Sequence, residues 1–299
     1  MSDPDTLQAA VTGLAKLLTV EPEGEDRFFG RPTPPGTGVG NGRSYGGMVM
    51  GQSLAAAEQT VADDRAAHSI HVSFLRPGKD TLPITYRVER DFDGRSFSSR
   101  RVVAIQEDRP ILTMTASFHI AEQGLAHQVP MPDVPPPEQL EDDRLQLAER
   151  MRRAGVTWHD PYAVQRPLEM RSVGGVEWLD GTSENAVSHS WVRTVAPLEG
   201  GPHIHRAVLA FASDMTPMNT ALMPHDVAFY KGDIAGASLD HALWFHDSFR
   251  MDDWLLISTE SPWSGGSRGF SQARVFTRDG RLVASFAQEG LIRLTRPKG

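Results

Sequence analysis

The sequence predicts an α+β protein built from two tandem repeats, each with one helix and a set of antiparallel strands. Apolar residues recurring about every 3.6 positions mark a helix in each half, and alternating apolar and polar residues mark the strands. Asp-Gly and Gly-Gly pairs separate several of these strands, as is typical of hairpins. A proline-rich stretch, Val129 to Pro137, lies between the halves, and consecutive prolines form a stiff spacer.

The chain of 299 residues has room for two domains of ordinary size. We expect an N-terminal domain at residues 1–130, a proline-rich linker and bridging helix at 131–160, and a C-terminal domain at 161–299. Under this prediction the C-terminal domain carries the candidate catalytic residues.

The first half begins with a short amphipathic helix at Asp5 to Leu18, followed by a brief strand and a loop rich in glycine and proline at residues 31–42. A second helix is predicted from Gly46 to Val61, with Gly47, Gly51 and Ala55 forming a smooth face that permits close packing. The strands are expected at Arg27 to Gly30, Ser69 to Leu75, Pro83 to Glu89, Ser96 to Gln106 and Pro110 to Ile120.

The second half opens with a charged helix predicted from Glu138 to Arg153. Its main helix leads into Asp214 and carries an apolar stripe of Ile204, Val208, Phe211 and Met215. The strands are expected at Leu168 to Trp178, Val187 to Val195, Ser238 to Phe245, Trp254 to Glu260, Ser267 to Thr277 and Leu282 to Leu294.

Three polar residues of the second half occupy positions that need hydrogen-bonding partners. Asp214 lies beside the apolar stripe of its helix, where a carboxylate is either paired or has a raised pKa. Gln288 is the polar member of an otherwise apolar row in the last strand, so its amide points toward packed surface. Ser238 opens the strand between them.

Five ordered segments resemble the type II acyl-CoA thioesterases, the TesB-like family. They are YGGMVMGQSL, HSIHVSFLRPG, FASDM, SLDHALWFH and SRGFSQARVFTRDGRLVASFAQEGLIR, and together they span roughly residues 43–293. The resemblance implies a double hotdog fold and hydrolysis of fatty acyl-CoA to a free fatty acid and CoA. It also implies that Asp214, Ser238 and Gln288 are catalytic, although the family often has Thr where this chain has Ser238.

The three residue types suit attack by water on a thioester. A carboxylate accepts the proton of the water, while an amide and a hydroxyl hold the water near attack distance, so no covalent nucleophile is required. The helix start at Gly46 and Gly47 offers backbone amides to the developing oxyanion. Among the cations near element ends, Arg76 and Arg268 are candidates for binding the substrate.

Composition excludes several other classes. With no cysteine the chain has neither disulfides nor thiolate nucleophiles, and the net charge of −8 disfavours nucleic-acid binding. The sequence has no long apolar run and no signal-peptide pattern, so we predict a cytoplasmic protein without membrane insertion. The histidine pairs lack a carboxylate arranged as in zinc enzymes, and we predict neither a metal site nor a cofactor.

The two halves can be aligned with each other by element order. His71 aligns with His241 at an offset of 170 residues, and Asp108 aligns with Asp279 at an offset of 171. The offset of 171 puts Ser117 opposite Gln288, and an offset near 167 puts Gly47 opposite Asp214. The apolar phase of the final strands then disagrees by one residue. The first half would thus lack both the carboxylate and the amide. We therefore expect one active site per chain and association into a homo-oligomer, a dimer or tetramer.

Other functions are weighed against the thioesterase. The pattern G-x-S-x-G occurs around Ser44 and Ser267, but neither has the strand–turn–helix context of a serine hydrolase, and the loop at residues 36–40 lacks the Gly-Lys-Thr of a phosphate loop. A hotdog 2-enoyl-CoA hydratase would need a histidine close after the aspartate, whereas the next histidine after Asp214 is His225. A non-catalytic acyl-CoA-binding module is the remaining alternative.

Overall fold

A computed structural model of the protein describes residues 3–34, 42–153, 167–176, 183, 185–229 and 231–295. Its first half contains two helices, α1 (Pro4–Leu18) and α2 (Gly46–Glu58), and six strands. The strands are β1 (Val20–Gly24), β2 (Arg27–Gly30), β3 (Arg65–Phe74), β4 (Ile84–Asp93), β5 (Phe97–Gln106) and β6 (Arg109–Ile120).

The second half follows a single 3₁₀ turn at Pro137–Gln139. Its helices are α3 (Asp143–Arg153), α4 (Pro202–Ser213) and α5 (Pro217–Leu222). Its strands are β7 (Leu168–Ser172), β8 (Val187–Thr194), β9 (Ile234–Ser238), β10 (Asp240–Phe245), β11 (Leu255–Gly265), β12 (Arg268–Thr277) and β13 (Leu282–Leu294).

The described strands form one antiparallel sheet in which the two halves have mirrored strand orders. The order is β1-β2-β4-β5-β6-β3 in the first half and β10-β13-β12-β11-β8-β7 in the second, with β9 paired to β13. Strands β3 and β10 join the halves, with Ser69 opposite Trp244 and Ser73 opposite Asp240. The predicted α+β fold of two tandem repeats, each with a helix against an antiparallel sheet, is confirmed.

Helices α2 and α4 pack against each other across the junction of the halves, and glycines set how closely they approach. A Cβ atom at Gly47 would lie 2.5 Å from the carbonyl oxygen of Phe211, and one at Gly51 would lie 3.0 Å from that of Ala207. The order of these contacts shows that the helices run antiparallel. The smooth glycine face, predicted to permit close packing, therefore meets the other helix.

The proline-rich linker covers the second half on the face away from α4. Met131 and Val134 pack against a cluster that contains Trp191 and Trp254, and the Trp191 Nε1–H donates to the carbonyl oxygen of Pro135 at 2.9 Å. The linker therefore contributes to packing as well as separating the halves.

The bridging helix is shorter than predicted. Asp142 Oδ1 accepts a hydrogen bond from the backbone N–H of Arg144 at 2.8 Å, which satisfies an amide at the start of α3. Asp143 is buried and accepts from both the N–H and the hydroxyl of Ser172, each at 2.6 Å. These two carboxylates fix the helix start near Asp143 and tie the helix to β7.

Two strand predictions need correction, one in each half. Strand β7 ends at Ser172 and not at Trp178, because Gly174 and Gly175 adopt φ values of 77° and 73° in the left-handed region, which turns the chain. Trp178 itself lies outside the described residues. Strand β1, at Val20–Gly24, was missed because its one buried residue, Val20, gives no alternating signal.

Candidate active site

Asp214 directly follows the last helical residue of α4. It caps the C-terminus of the helix with φ −86° and ψ 1°, and the next helix, α5, begins three residues later at Pro217. Its position is fixed by the buried stripe of α4, because Ile204, Val208 and Phe211 all lie in the core. The carboxylate is thus held at the end of a rigid element.

The structure brings Asp214, Ser238 and Gln288 into one hydrogen-bonded group. The Gln288 amide nitrogen donates to Asp214 Oδ1 at 2.9 Å and to Ser238 Oγ at 2.8 Å. The Ser238 hydroxyl donates to the same Asp214 oxygen at 3.1 Å. Both amide hydrogens of Gln288 are therefore used, and Asp214 Oδ1 is saturated by two neutral donors.

The carboxyl of Asp214 has a perturbed acidity. Burial raises its pKa to about 6, and the hydrogen bonds from Gln288, Ser238 and the backbone N–H of Gly47 oppose that rise. The residue as a whole keeps partial exposure to solvent, although its carboxyl is enclosed by protein. A carboxylate with this pKa is ionised at neutral pH and remains basic enough to accept a proton.

The first half supplies the opposite wall of the site. A Cβ atom at Gly46 would lie 2.7 Å from Asp214 Oδ2 and 2.9 Å from the Phe74 ring, so the backbone at the start of α2 runs directly beside the carboxylate. The Gly47 amide, expected to face an oxyanion, lies near enough to the Asp214 carboxyl to lower its pKa. The site is thus built between the halves: the second half gives the side chains, and the first half gives the backbone.

His241 is part of the group, although the sequence did not predict it as a site residue. Its Nδ1 lies 2.8 Å from Gln288 Oε1, and its Nε2 lies 3.0 Å from Ser213 Oγ. The side chain is 1% exposed, and burial lowers its pKa to about 4. The alternation of β10 carried the signal, because His241 is in phase with the buried residues Leu243 and Phe245.

Ser238 ends a strand, β9, that we did not separate from β10. The insertion that precedes it, α5, places Met218 Sδ 3.9 Å from Ser238 Oγ. Cβ atoms at Gly236 and Gly290 would lie within 2.8 Å of the Met218 side chain, so these glycines make room for it. Met218 therefore borders the hydroxyl side of the site.

The two arginines predicted to bind substrate have different positions. Arg76 lies two residues beyond Phe74 at the first-half rim, is exposed, and donates to the carbonyl oxygen of Pro110 at 2.8 Å. Arg268 pairs with Glu289 at 3.1 Å and stacks over Trp263 at 5.5 Å. Because Glu289 alternates with the buried Gln288 along β13, Arg268 lies on the opposite face of the sheet from the triad.

Other kinds of site find little support in the residues that the structure describes. Among them, no three His, Asp or Glu side chains are grouped so that they could hold a metal ion, and no helix is long and apolar enough to cross a membrane. Ser267 lies in the turn between β11 and β12 with φ 60°, which joins strand to strand. The loop at residues 36–40 lies outside the described part of the chain.

The strand pairings correct the alignment of the two halves. Ala67 pairs with Phe118 in the first half as Ser238 pairs with Gly290 in the second. Ala67 is therefore the counterpart of Ser238. Counting back two residues from Phe118 and from Gly290 makes Ala116 the counterpart of Gln288.

The alignment of His71 with His241 was wrong by one residue. His71 is exposed whereas His241 is buried, so the two point to opposite faces of the sheet. The offset used for the final strands was also one residue short, which produced the pairing of Gln288 with Ser117 and the phase disagreement noted from the sequence.

The counterpart of Asp214 is also different from the expected Gly47. Counting from the first residues of α2 and α4, Gly46 and Pro202, makes Glu58 the counterpart of Asp214. The first half has thus kept a carboxylate, but Glu58 Oε1 accepts from Arg206 Nε at 2.7 Å and Nη2 at 2.6 Å. At this end of the helix pair the carboxylate is held by a cation, with alanines in place of the hydroxyl and the amide.

Comparison with known proteins identifies both halves. A model of the acyl-CoA thioesterase N-terminal domain matches residues 33–119, and a model of the C-terminal domain of the same family matches residues 133–292. These two matches cover most of the chain, and residues 120–132 lie between them.

Relatives and solved structures agree with these matches. The chain is 38% identical over 290 residues to human acyl-coenzyme A thioesterase 8, covering 93% of this chain and 88% of that protein. It is 34% identical to the crystal structure of acyl-CoA thioesterase II TesB2 from Mycobacterium marinum, with a TM-score of 0.77 and coverage of 96% and 99%. A hot dog fold protein from Alicyclobacillus acidocaldarius, 17% identical, shares the fold with a TM-score of 0.74 over 95% and 98% of the two chains. The chain therefore belongs to the type II acyl-CoA thioesterases, the TesB-like family with a double hotdog fold.

Proposed function

We propose that this protein hydrolyses fatty acyl-CoA to a free fatty acid and CoA, using a water molecule activated by Asp214. One observation carries the proposal: a carboxyl with its pKa raised to about 6 is held by neutral donors from Gln288 and Ser238 beside the start of α2. Family membership supplies the substrate class, and the geometry supplies the roles.

Asp214 is the general base. Its Oδ1 is occupied by Gln288 and Ser238, so its Oδ2, which faces Gly46, is the oxygen that accepts the proton of water. Ser238 Oγ donates to Asp214 and still has lone-pair capacity to receive a hydrogen bond from that water. These contacts hold the water oxygen free to attack the thioester carbonyl.

The remaining steps follow from the chemistry of thioesters. Attack forms the C–O bond and places negative charge on the former carbonyl oxygen, for which the Gly46 amide at the start of α2 is the proposed donor. Collapse of the tetrahedral species breaks the C–S bond, and the CoA thiolate takes the proton held by Asp214. The products are a fatty acid and free CoA, and Asp214 returns to its ionised state.

We further propose one such site per chain. The other end of the helix pair has Ala67 and Ala116 where Ser238 and Gln288 stand, and its carboxylate, Glu58, is bound by Arg206. Association into a homo-oligomer and a cytoplasmic location remain predictions from the sequence.

Release of free thiol from a series of acyl-CoA esters of increasing chain length tests the function. Wild-type protein should release thiol with no added metal, and Asp214→Asn should fall by a factor on the order of 10² or more, as expected for loss of a general base. Loss of the absorbance of a 2-enoyl-CoA without thiol release would instead indicate a hydratase. Saturable binding of acyl-CoA without turnover would indicate a binding module.

A further inference from the structure

We propose that His241 is a positioning residue that fixes the orientation of the Gln288 amide and so sets the hydrogen bonds of Asp214. This inference rests on the proposed function of Asp214. The side-chain amide of Gln288 has nearly the same shape in its two orientations, and packing alone selects poorly between them. A specific hydrogen-bond partner behind the amide is needed to make one orientation dominant.

The orientation of the amide decides whether Gln288 presents a donor or an acceptor to Asp214. With its nitrogen toward Asp214, Gln288 donates to Asp214 at 2.9 Å and to Ser238 at 2.8 Å. With its oxygen toward Asp214, a carbonyl oxygen would face the carboxylate at the same short distance. That arrangement repels the ionised base and leaves Ser238 without a donor.

His241 supports the orientation with the amide nitrogen toward Asp214 if its Nδ1 carries the proton. Nδ1 then donates to Gln288 Oε1 across 2.8 Å, and Nε2 must accept a hydrogen bond. The Ser213 hydroxyl lies 3.0 Å from Nε2 and supplies that hydrogen. The resulting chain runs in one direction from Ser213 through His241 and Gln288 to Asp214, and every member is satisfied.

The opposite tautomer of His241 can also satisfy both of its ring nitrogens. The tautomer can therefore select between the two orientations of the Gln288 amide. If the proton sat on Nε2, it would point to Ser213 Oγ, whose own hydrogen would turn to the Ala210 carbonyl oxygen at 2.9 Å. The lone pair of Nδ1 would then attract the amide nitrogen and turn the oxygen of Gln288 toward Asp214. The ionised carboxylate disfavours this state, so the imidazole tautomer and the charge of Asp214 are coupled.

The corrected alignment of the halves agrees with the proposal that His241 acts through Gln288. Ile70 lies three residues after Ala67 in β3, as His241 lies three residues after Ser238, so Ile70 is the first-half counterpart of His241. Ile70 is fully buried, and its half has Ala116 in place of Gln288. The imidazole and the amide are thus present together in one half and replaced together by apolar residues in the other.

The tautomer is measured directly by ¹⁵N NMR of protein labelled at histidine, with the His241 signals assigned by their loss in His241→Asn. At pH 7 we expect a neutral imidazole with the proton on Nδ1. A proton on Nε2 would overturn the proposal. This readout does not depend on turnover, so the tautomer result stands even if wild-type protein releases no thiol and the proposed function fails.

Variants separate positioning from packing. His241→Asn keeps an N–H donor the same number of bonds from the backbone as Nδ1, whereas His241→Leu keeps bulk without a donor. We expect His241→Leu to lower kcat at least tenfold with KM changed by less than threefold, and His241→Asn to recover kcat to within about threefold of wild type. His246→Leu is the matched control, since His246 bonds Ser285 near the end of the same strand and should retain wild-type kcat.

Two kinetic outcomes contradict the proposal. If His241→Leu keeps wild-type kcat, the amide orientation needs no imidazole. If both His241 variants lose kcat equally while remaining folded, the residue matters for packing only. Should His241→Leu fail to fold, the tautomer measured by ¹⁵N NMR in wild-type protein remains the test of the proposed chain, and a proton on Nε2 of His241 overturns it.

Discussion

Replacing Asp214 by Asn should stabilise the folded protein at neutral pH while removing its activity. The pKa of this carboxyl is raised from 3.8 to about 6, mainly by burial. A group whose pKa is raised in the folded state stabilises the fold while it is protonated. That stabilisation is lost progressively as pH rises through the interval from about 4 to about 6, where the group ionises. Because the asparagine does not titrate, the variant does not lose this stability as pH rises.

The magnitude follows from linkage. A shift of about two pKa units corresponds to about 3 kcal/mol at pH values above both pKa values, and most of it develops between pH 4 and pH 7.5. We therefore expect the free energy of unfolding of Asp214→Asn, relative to wild type, to increase by roughly 2 kcal/mol over that interval. Contacts that the asparagine amide lacks, such as that to the Gly47 N–H, change the free energy of unfolding of the variant by the same amount at every pH. They therefore leave the slope of the stability difference against pH unchanged.

Urea unfolding at several pH values, read by tryptophan fluorescence, measures this difference. The control is Asp253→Asn, which makes the same substitution at an exposed carboxylate away from the site. A difference for Asp214→Asn that is flat, or that falls as pH rises, would refute the claim that the buried carboxylate destabilises the fold. We expect turnover of the same Asp214→Asn samples to be lower by a factor on the order of 10² or more. The variant would then gain stability by losing the group that we propose as the general base.

Three further outcomes test the site. Ser238→Thr should retain turnover within about threefold because the hydroxyl remains, whereas Gln288→Ala should lose at least tenfold in kcat through loss of both N–H donors, each measured by thiol release. Gly46→Ala should lower kcat more than Gly51→Ala, because the added Cβ would meet Asp214 Oδ2 at 2.7 Å in the first case and only Leu18 and Ala207 in the second; equal losses would mean that helix packing alone is responsible. Glu58→Gln should leave kcat within about threefold, a change in activation free energy below about 1 kcal/mol, and a larger loss would indicate that the second end of the helix pair takes part.

Sequence patterns predicted those parts of the site that depend on burial. Gln288 was found because a polar side chain in an apolar row must be satisfied, and the structure places it 1% exposed against Asp214 and Ser238. Asp214 was found from its place beside the stripe of α4. In both cases the periodicity of one element, together with the chemistry of one side chain, carries the information.

Features that depend on register between elements could not be obtained in this way. A one-residue error in aligning the halves turned Ala116 into Ser117 and Ile70 into His71, because successive strand residues point to opposite faces. The role of His241 is equally invisible in its own strand, where it reads as a buried residue. Its partners, Ser213 and Gln288, come from α4 and β13 and meet it only in the folded protein.

The mirrored halves show why a carboxylate at the end of a helix is not sufficient for this chemistry. The antiparallel pair of α2 and α4 has two ends, with Asp214 at one and Glu58 at the other. Burial raises the pKa of both carboxyls, that of Asp214 to about 6 and that of Glu58 to about 7. The difference between them lies in their partners, because Asp214 accepts from neutral donors, the Gln288 amide and the Ser238 hydroxyl. Glu58 faces the guanidinium of Arg206, which occupies one oxygen with two hydrogen bonds and ties α2 to α4. A proton on Oδ2 of Asp214 leaves its neutral donors in place, whereas a proton on Glu58 would leave the guanidinium of Arg206 without a charged partner. Under the proposed mechanism, the helix pair therefore carries the catalytic base at one end and, at the other, an ion pair that ties α2 to α4.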